Sequence, residues 1–204
     1  SSIEQMATSV FKRVTTYAGM NAWPIQLVAP QQLQPQVFPR FEFSSVIRGE
    51  RCELIVPPSH AINISFNPNQ INQPQDLVAS FAGTLATIMI HHVGVLPPGG
   101  KDFLPQAADA LACFLGFGVM MCNTVYQFKG GCGSCYNPYA NREAQLSETH
   151  TVFMHALVCY FKKDNVSKKH LKPHLRSQFK KAQKEIKALV SESANPLLLA
   201  YAPN

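Results

Sequence analysis

The sequence predicts an α+β domain, with a small N-terminal β-sheet packed on a mainly helical body of about four helices. Three observations point there. Between residues 23 and 66, short β-branched runs alternate with prolines. From residue 74 onward, long apolar runs take over. The last run is amphipathic and strongly basic on one face. With 204 residues, 46% of them apolar and 15% charged, the chain is read as one globular domain. Its parts are a strand region (1–70), central helices (73–163) and a basic amphipathic helix (168–192).

The opening, Ile3 to Tyr17, reads as a short helix ending near Gly19. No leader pattern opens the given residues, which start at Ser1, and a cytoplasmic location is expected. Ile25, Leu27 and Val28 after Trp23-Pro24 suggest a strand, and the prolines at 30, 35 and 39 forbid a long helix there. CELIV (Cys52 to Val56) and AINISF (Ala61 to Phe66) read as two more strands across PPSH, most simply a hairpin.

The run Gln75 to Val93, QDLVASFAGTLATIMIHHV, is apolar almost all round, the mark of a buried central helix. Its few polar residues, Ser80, Thr84, Thr87 and His91, are spaced four, three and four and stack on one face. Pro74 suits the first turn, and Asn72 is placed as a cap.

VGVLPPGGKDFLPQ is a loop by its Pro-Pro-Gly-Gly punctuation, without the spacing of a P-loop or dinucleotide fingerprint. A second buried helix is expected from Ala107 to Tyr126. Gly116 and Gly118 are costly inside it and suggest a close crossing of another backbone. Both apolar runs fall short of the roughly 20 residues of a membrane span, so no transmembrane segment is expected. Asp109 is the one carboxylate of this helix, and its structural reading is a buried acid held by backbone amides or a basic partner such as Arg142. Its catalytic reading is a metal-site relic or general base.

These two helices carry a resemblance. LVASFAGTLAT, approached through HAINISF, resembles the wording LVATxAHELGH of uncharacterised bacterial zincin-like proteins. In zincins, the two histidines of H-E-x-x-H bind zinc and the glutamate activates water. In the matching positions this chain has Gly83, Thr84 and Thr87. Asp109 matches a second-helix aspartate of that family, and Pro105 stands about where its acidic ligand would be. The resemblance covers about Ala61 to Asn123 and implies a degenerate cleft lined by Gly83, Thr84, Thr87, His91 and Asp109.

FKGGCGSCYNPYANR holds Cys132 and Cys135 as a single C-x-x-C. Reduced thiols in a turn, a disulfide or redox pair, and half of a zinc site all fit that spacing. His91 and His92 point a quarter turn apart, and His150 and His155 lie five apart, so neither pair makes an i, i+4 ligand set. A third helix is expected from Tyr139 or Glu143 to Lys163.

In the fourth helix Leu175, Phe179, Ala182, Ile186 and Leu189 form an apolar stripe. The net charge of +6 is concentrated here, with ten Lys or Arg against Asp164 and Glu185 from Lys162 to Lys187. Lys168, Lys169, Arg176, Lys180, Lys181 and Lys184 mark a surface for an acidic partner or nucleic acid, or a solvated outer face. No aromatic residue is interleaved on it.

The expected function is non-catalytic: a binding or scaffold protein on a metallopeptidase-like fold that has lost its zinc ligands, with a protein partner. One alternative is a metal-dependent enzyme whose site has moved to His91, His150, His155 or the cysteine pair, with zinc at Cys132 and Cys135. The other is a nucleic-acid or acidic-partner binder acting through the basic helix.

Overall fold

The computed structural model describes residues 2–125, 137 and 139–200, with the backbone alone at 199. The fold is α+β, a small strand region against a helical body. Among the described residues there are seven α-helices and four short strands. Helix α1 (Ile3–Tyr17) opens on a capping box between Ser2 and Gln5 and closes at Ala18, with Gly19 next at φ 69°. It buries Ala7, Phe11 and Val14.

The strands pair differently from the expected hairpin. β1 (Ile25–Leu27) runs parallel to β4 (Ile62–Ile64), with Ile25 opposite Ile62 and Leu27 opposite Ile64. β2 (Glu42–Phe43) pairs antiparallel with β3 (Leu54–Val56), giving two two-stranded sheets rather than one. β4 buries Ile62 and Ile64 on the core, whereas Ile55 and Val56 of β3 are exposed. The two runs therefore serve different surfaces.

Helix α2 (Pro74–Val93) is the centre of the molecule. Pro74 is in its first turn as expected, but Gln73 is the N-cap residue, without a side-chain bond, rather than Asn72. Gly94 closes the helix at φ 71°. Leu77, Ala79, Phe81, Ala82, Leu85, Ala86, Ile88 and Met89 are all buried. They share one core with α1, β4 and α3 (Leu104–Ala112).

The second apolar run is not one helix from Ala107 to Tyr126. It begins at α3, passes through a π-helical turn at Cys113–Phe117, and resumes as the short α4 (Gly118–Asn123). Gly116 sits in that turn at φ 106°, so its reason is backbone conformation. Gly118 does answer a close approach, but by a side chain. A Cβ there would lie 2.1 Å from His155 Nδ1.

By length and composition alone, α2 and the run Lys101–Asn123 are long enough and apolar enough to cross a membrane, longer than the sequence reading allowed. Within this fold α2 gives its apolar side to the core, and half of its most apolar window is buried there (50%).

Helix α5 (Glu148–Lys162), capped by Ser147, starts later than expected because 139–147 is a loop. Helix α6 (Leu175–Glu192) docks on α5 through Leu175, Phe179, Ala182, Ile186 and Val190. Leu189, expected in that stripe, is 53% exposed; the next buried position after Ile186 is Val190, at a spacing of four rather than three. A short α7 (Pro196–Leu199) follows.

Candidate functional site

One face of α2 lines a cleft of about 500 Å³. Gly83, Thr84, Thr87 and His91 form its floor along the helix, as their spacing on one face requires. Leu104, Pro105, Ala108 and Asp109 of α3 form the opposite side. Arg142, Glu143 and Gln145, from the loop between α4 and α5, form a third wall. All five residues of the predicted cleft, and Pro105 with them, thus border one cavity.

The cleft's strongest polar contacts lie in its wall. Asp109 is 4% exposed, and both its oxygens accept from Arg142 Nη1, at 3.1 and 3.2 Å. Its Oδ2 also accepts from the backbone amides of Gln145 (2.8 Å) and Leu146 (3.1 Å). Arg142 uses its other donors too, Nε on Thr124 Oγ1 (3.0 Å) and Nη2 on the Met121 carbonyl (3.2 Å). Its backbone amide donates to Asp76 Oδ1 at 2.7 Å. A buried carboxylate and guanidinium persist only when paired and bonded this fully. The set fastens the third wall to α2, α3 and α4. Asn141 adds a bond to Gln73 (2.9 Å), and Asn67 and Asn69 donate to the Tyr139 carbonyl.

The floor is quieter. Thr84 and Thr87 turn their hydroxyl protons back to the carbonyls of Ser80 (3.0 Å) and Gly83 (2.9 Å). Gly83 offers no side chain, and a Cβ placed on it would meet nothing within 4 Å. His91 is exposed, and its ring lies 6.1 Å from that of Phe38. The neighbouring His92 points elsewhere. It stacks on Phe41 at 4.6 Å beside Trp23, and burial pulls its pKa below the usual histidine value.

The donor set in the cleft does not suit a zinc ion. Gly83 has no side-chain ligand atom, the neutral threonine hydroxyls are not ordinary zinc ligands, and Asp109 is surrounded by donors. The histidines of the relocated-site alternative do not converge. His150 is exposed at the start of α5. His155 is buried one turn further on, against Cys159 Sγ (3.7 Å) and the Phe179 ring (5.4 Å), and burial lowers its pKa to about 4. Among the described residues, no three His, Cys, Asp or Glu side chains are grouped to hold a metal ion. Cys132 and Cys135 lie outside the described residues. The remaining thiols at 52, 113, 122 and 159 are buried and free, and burial raises the pKa of each.

The basic surface divides. Lys169, Lys180, Lys181 and Lys184 are exposed, and Lys168 is half-buried. Arg176 is also exposed, but its guanidinium donates to the carbonyls of Leu171 (3.0 Å) and Lys169 (2.8 Å), holding the turn before α6.

Asp76, Glu143 and Gln145 have no counterpart in the sequence reading. An acid in the first turn of an otherwise apolar helix was the available signal for Asp76. The two loop residues carry no local pattern.

No protein-family model matches the chain, and no curated protein or solved structure matches it.

Proposed function

We propose that this chain is a non-catalytic binding or scaffold protein, on a frame resembling that of the zincins, whose cleft receives a ligand or a partner's side chain. One observation carries the reading. The cleft is formed and its wall is fastened, yet the one carboxylate buried in it, Asp109, is consumed by Arg142 and two backbone amides. A general base needs a free lone pair toward its substrate, and a hydrolytic metal needs ligands with donor atoms. Gly83 has no side chain, and the neutral hydroxyls of Thr84 and Thr87 are too weakly basic to act as a general base and are not ordinary zinc ligands. What remains is a shaped, partly apolar concavity within the size range of ligand sites.

The deciding measurement is elemental analysis of tag-free protein, wild type and Cys132→Ser/Cys135→Ser. Wild-type protein free of transition metal is the expected result. Stoichiometric metal that survives the double substitution and is lost with His91→Ala overturns the reading in favour of a relocated metal site.

A second reading rests on α6. Its apolar stripe is already used against α5, so its exposed lysines cannot serve a helix that inserts elsewhere. Lys180, Lys181 and Lys184 make no ion pair among the described residues. Binding of an acidic protein or nucleic acid through them predicts an affinity for a short DNA duplex that falls steeply with salt. Reversing the three charges should abolish it without unfolding the chain. Salt-independent binding would remove this reading.

A further inference from the structure

We propose that the cleft takes a primary ammonium group carried on a short apolar stem. The inference deepens the binding reading above and rests on it. It follows from the balance of donors and acceptors in the cavity.

Each threonine hydroxyl on the floor has given its proton to the helix, Thr84 to Ser80 and Thr87 to Gly83, and so offers only lone pairs to the cleft. Arg142, the one Lys or Arg among the described residues in the walls, has directed Nε, Nη1 and Nη2 to Thr124, Asp109 and Met121. Its charge is matched at 3.1 Å by Asp109. The pair therefore contributes little net field at the cavity. Glu143 is different. It lines the same cleft, is exposed, and its carboxylate has no hydrogen bond or ion pair among the described residues.

The cleft thus presents the threonine acceptors and one negative charge that is unmatched among the described residues, while Ser80, His91 and Gln145, which also line it, can donate or accept. Ala79, Ile90, Leu104, Pro105 and Ala108 provide apolar walls, and Gly83 leaves open space in the floor. An ammonium brings three donors, a positive charge and no acceptor, which complements that set. A carboxylate would meet the like charge of Glu143. The same chemistry comes from a free alkylamine or from a lysine side chain of a partner polypeptide.

The test is an NMR titration of the ¹⁵N-labelled 204-residue chain, followed at the amides of Gly83, Thr84 and Thr87. Hexylamine, hexanol and hexanoate share one stem and differ only in the head group. Hexylamine is expected to bind roughly tenfold tighter than hexanol, as one charge-assisted contact implies, and hexanoate more weakly than either. Glu143→Gln should remove the amine's advantage and leave hexanol unchanged. Gly83→Leu, which fills open space, should abolish all binding while the spectrum stays folded.

Backbone-capped lysine then separates the two sources. Binding at least as tight as hexylamine assigns the site to a partner's lysine, and weaker binding assigns it to a free amine. Equal affinities for amine and alcohol, tighter hexanoate, or an advantage that persists in Glu143→Gln would each overturn the ammonium assignment alone. Silence from all three probes would overturn the ligand-cleft reading with it.

Discussion

Asp109 shows how one residue's role is decided by what surrounds it. A carboxylate alone in an apolar helix suits either a base or a structural ion. Five hydrogen-bonded contacts on Arg142 and two amides on Asp109 make it structural. The sequence made the partner accessible, since Arg142 is a cation within reach of a buried acid. It did not show that Arg142 is held at five points or that the loop amides complete the carboxylate. Those contacts join residues 66 and 36 positions apart, and no local pattern encodes them. Removing one partner of such a pair leaves the other charged, buried and unmatched. Asp109→Ala should therefore lower unfolding free energy by about 3–5 kcal/mol, read from urea midpoints at constant m-value. A loss under about 1 kcal/mol would mean that the pair is solvated and that Asp109 is free for another role.

At the scale of elements, periodicity located the helices well and their interruptions poorly. The α2 face carrying Thr84, Thr87 and His91 was readable because three- and four-residue spacing is local. So was α1, whose bounds coincide with the expected helix. The pairing of β1 with β4 was not, because parallel strands 37 residues apart share no turn to announce them. The π-helical turn inside the second apolar run was hidden for a different reason. Glycine in a helix signals close packing and special conformation alike, and Gly116 and Gly118 divide these two roles between them. Gly116 at φ 106° occupies a region that side chains resist, and its Cβ would also lie 2.9 Å from the Tyr17 ring. Gly116→Ala should cost about 1–3 kcal/mol from conformation alone. Most of that loss should persist in a Tyr17→Ala background, where the ring is gone. Urea titration of the four proteins closes the cycle. Full rescue by Tyr17→Ala would show that the ring, not the backbone, requires glycine.

At the scale of the whole molecule, the described residues form two hydrophobic clusters, one around α2 and one between α5 and α6. His155 packs against the second of them. It is 4% exposed on α5, beneath Gly118 of α4 and against Phe179 of α6. Burial is the main cause that lowers its pKa to about 4, outweighing the nearby Asp164 carboxylate, which raises it. The folded protein therefore holds this imidazole neutral at a pH where the unfolded chain protonates it. With the folded value below the unfolded one, stability is fully present above about pH 6.5 and declines as pH falls toward 4. A displacement of that size corresponds to about 3 kcal/mol at the acid end. Wild type and His155→Leu, compared by urea unfolding at pH 7 and pH 4, should diverge by roughly that amount. The wild type loses more because its variant has no imidazole to protonate. Since α6 rests on His155 through Phe179, the acid-weakened protein should release α6 first. Amide exchange on Phe179, Ala182 and Ile186 would then accelerate ahead of exchange on Leu85 and Ala86 in α2. Parallel acid losses in the two proteins, or uniform acceleration across both clusters, would place the acid sensitivity elsewhere than in this buried ring.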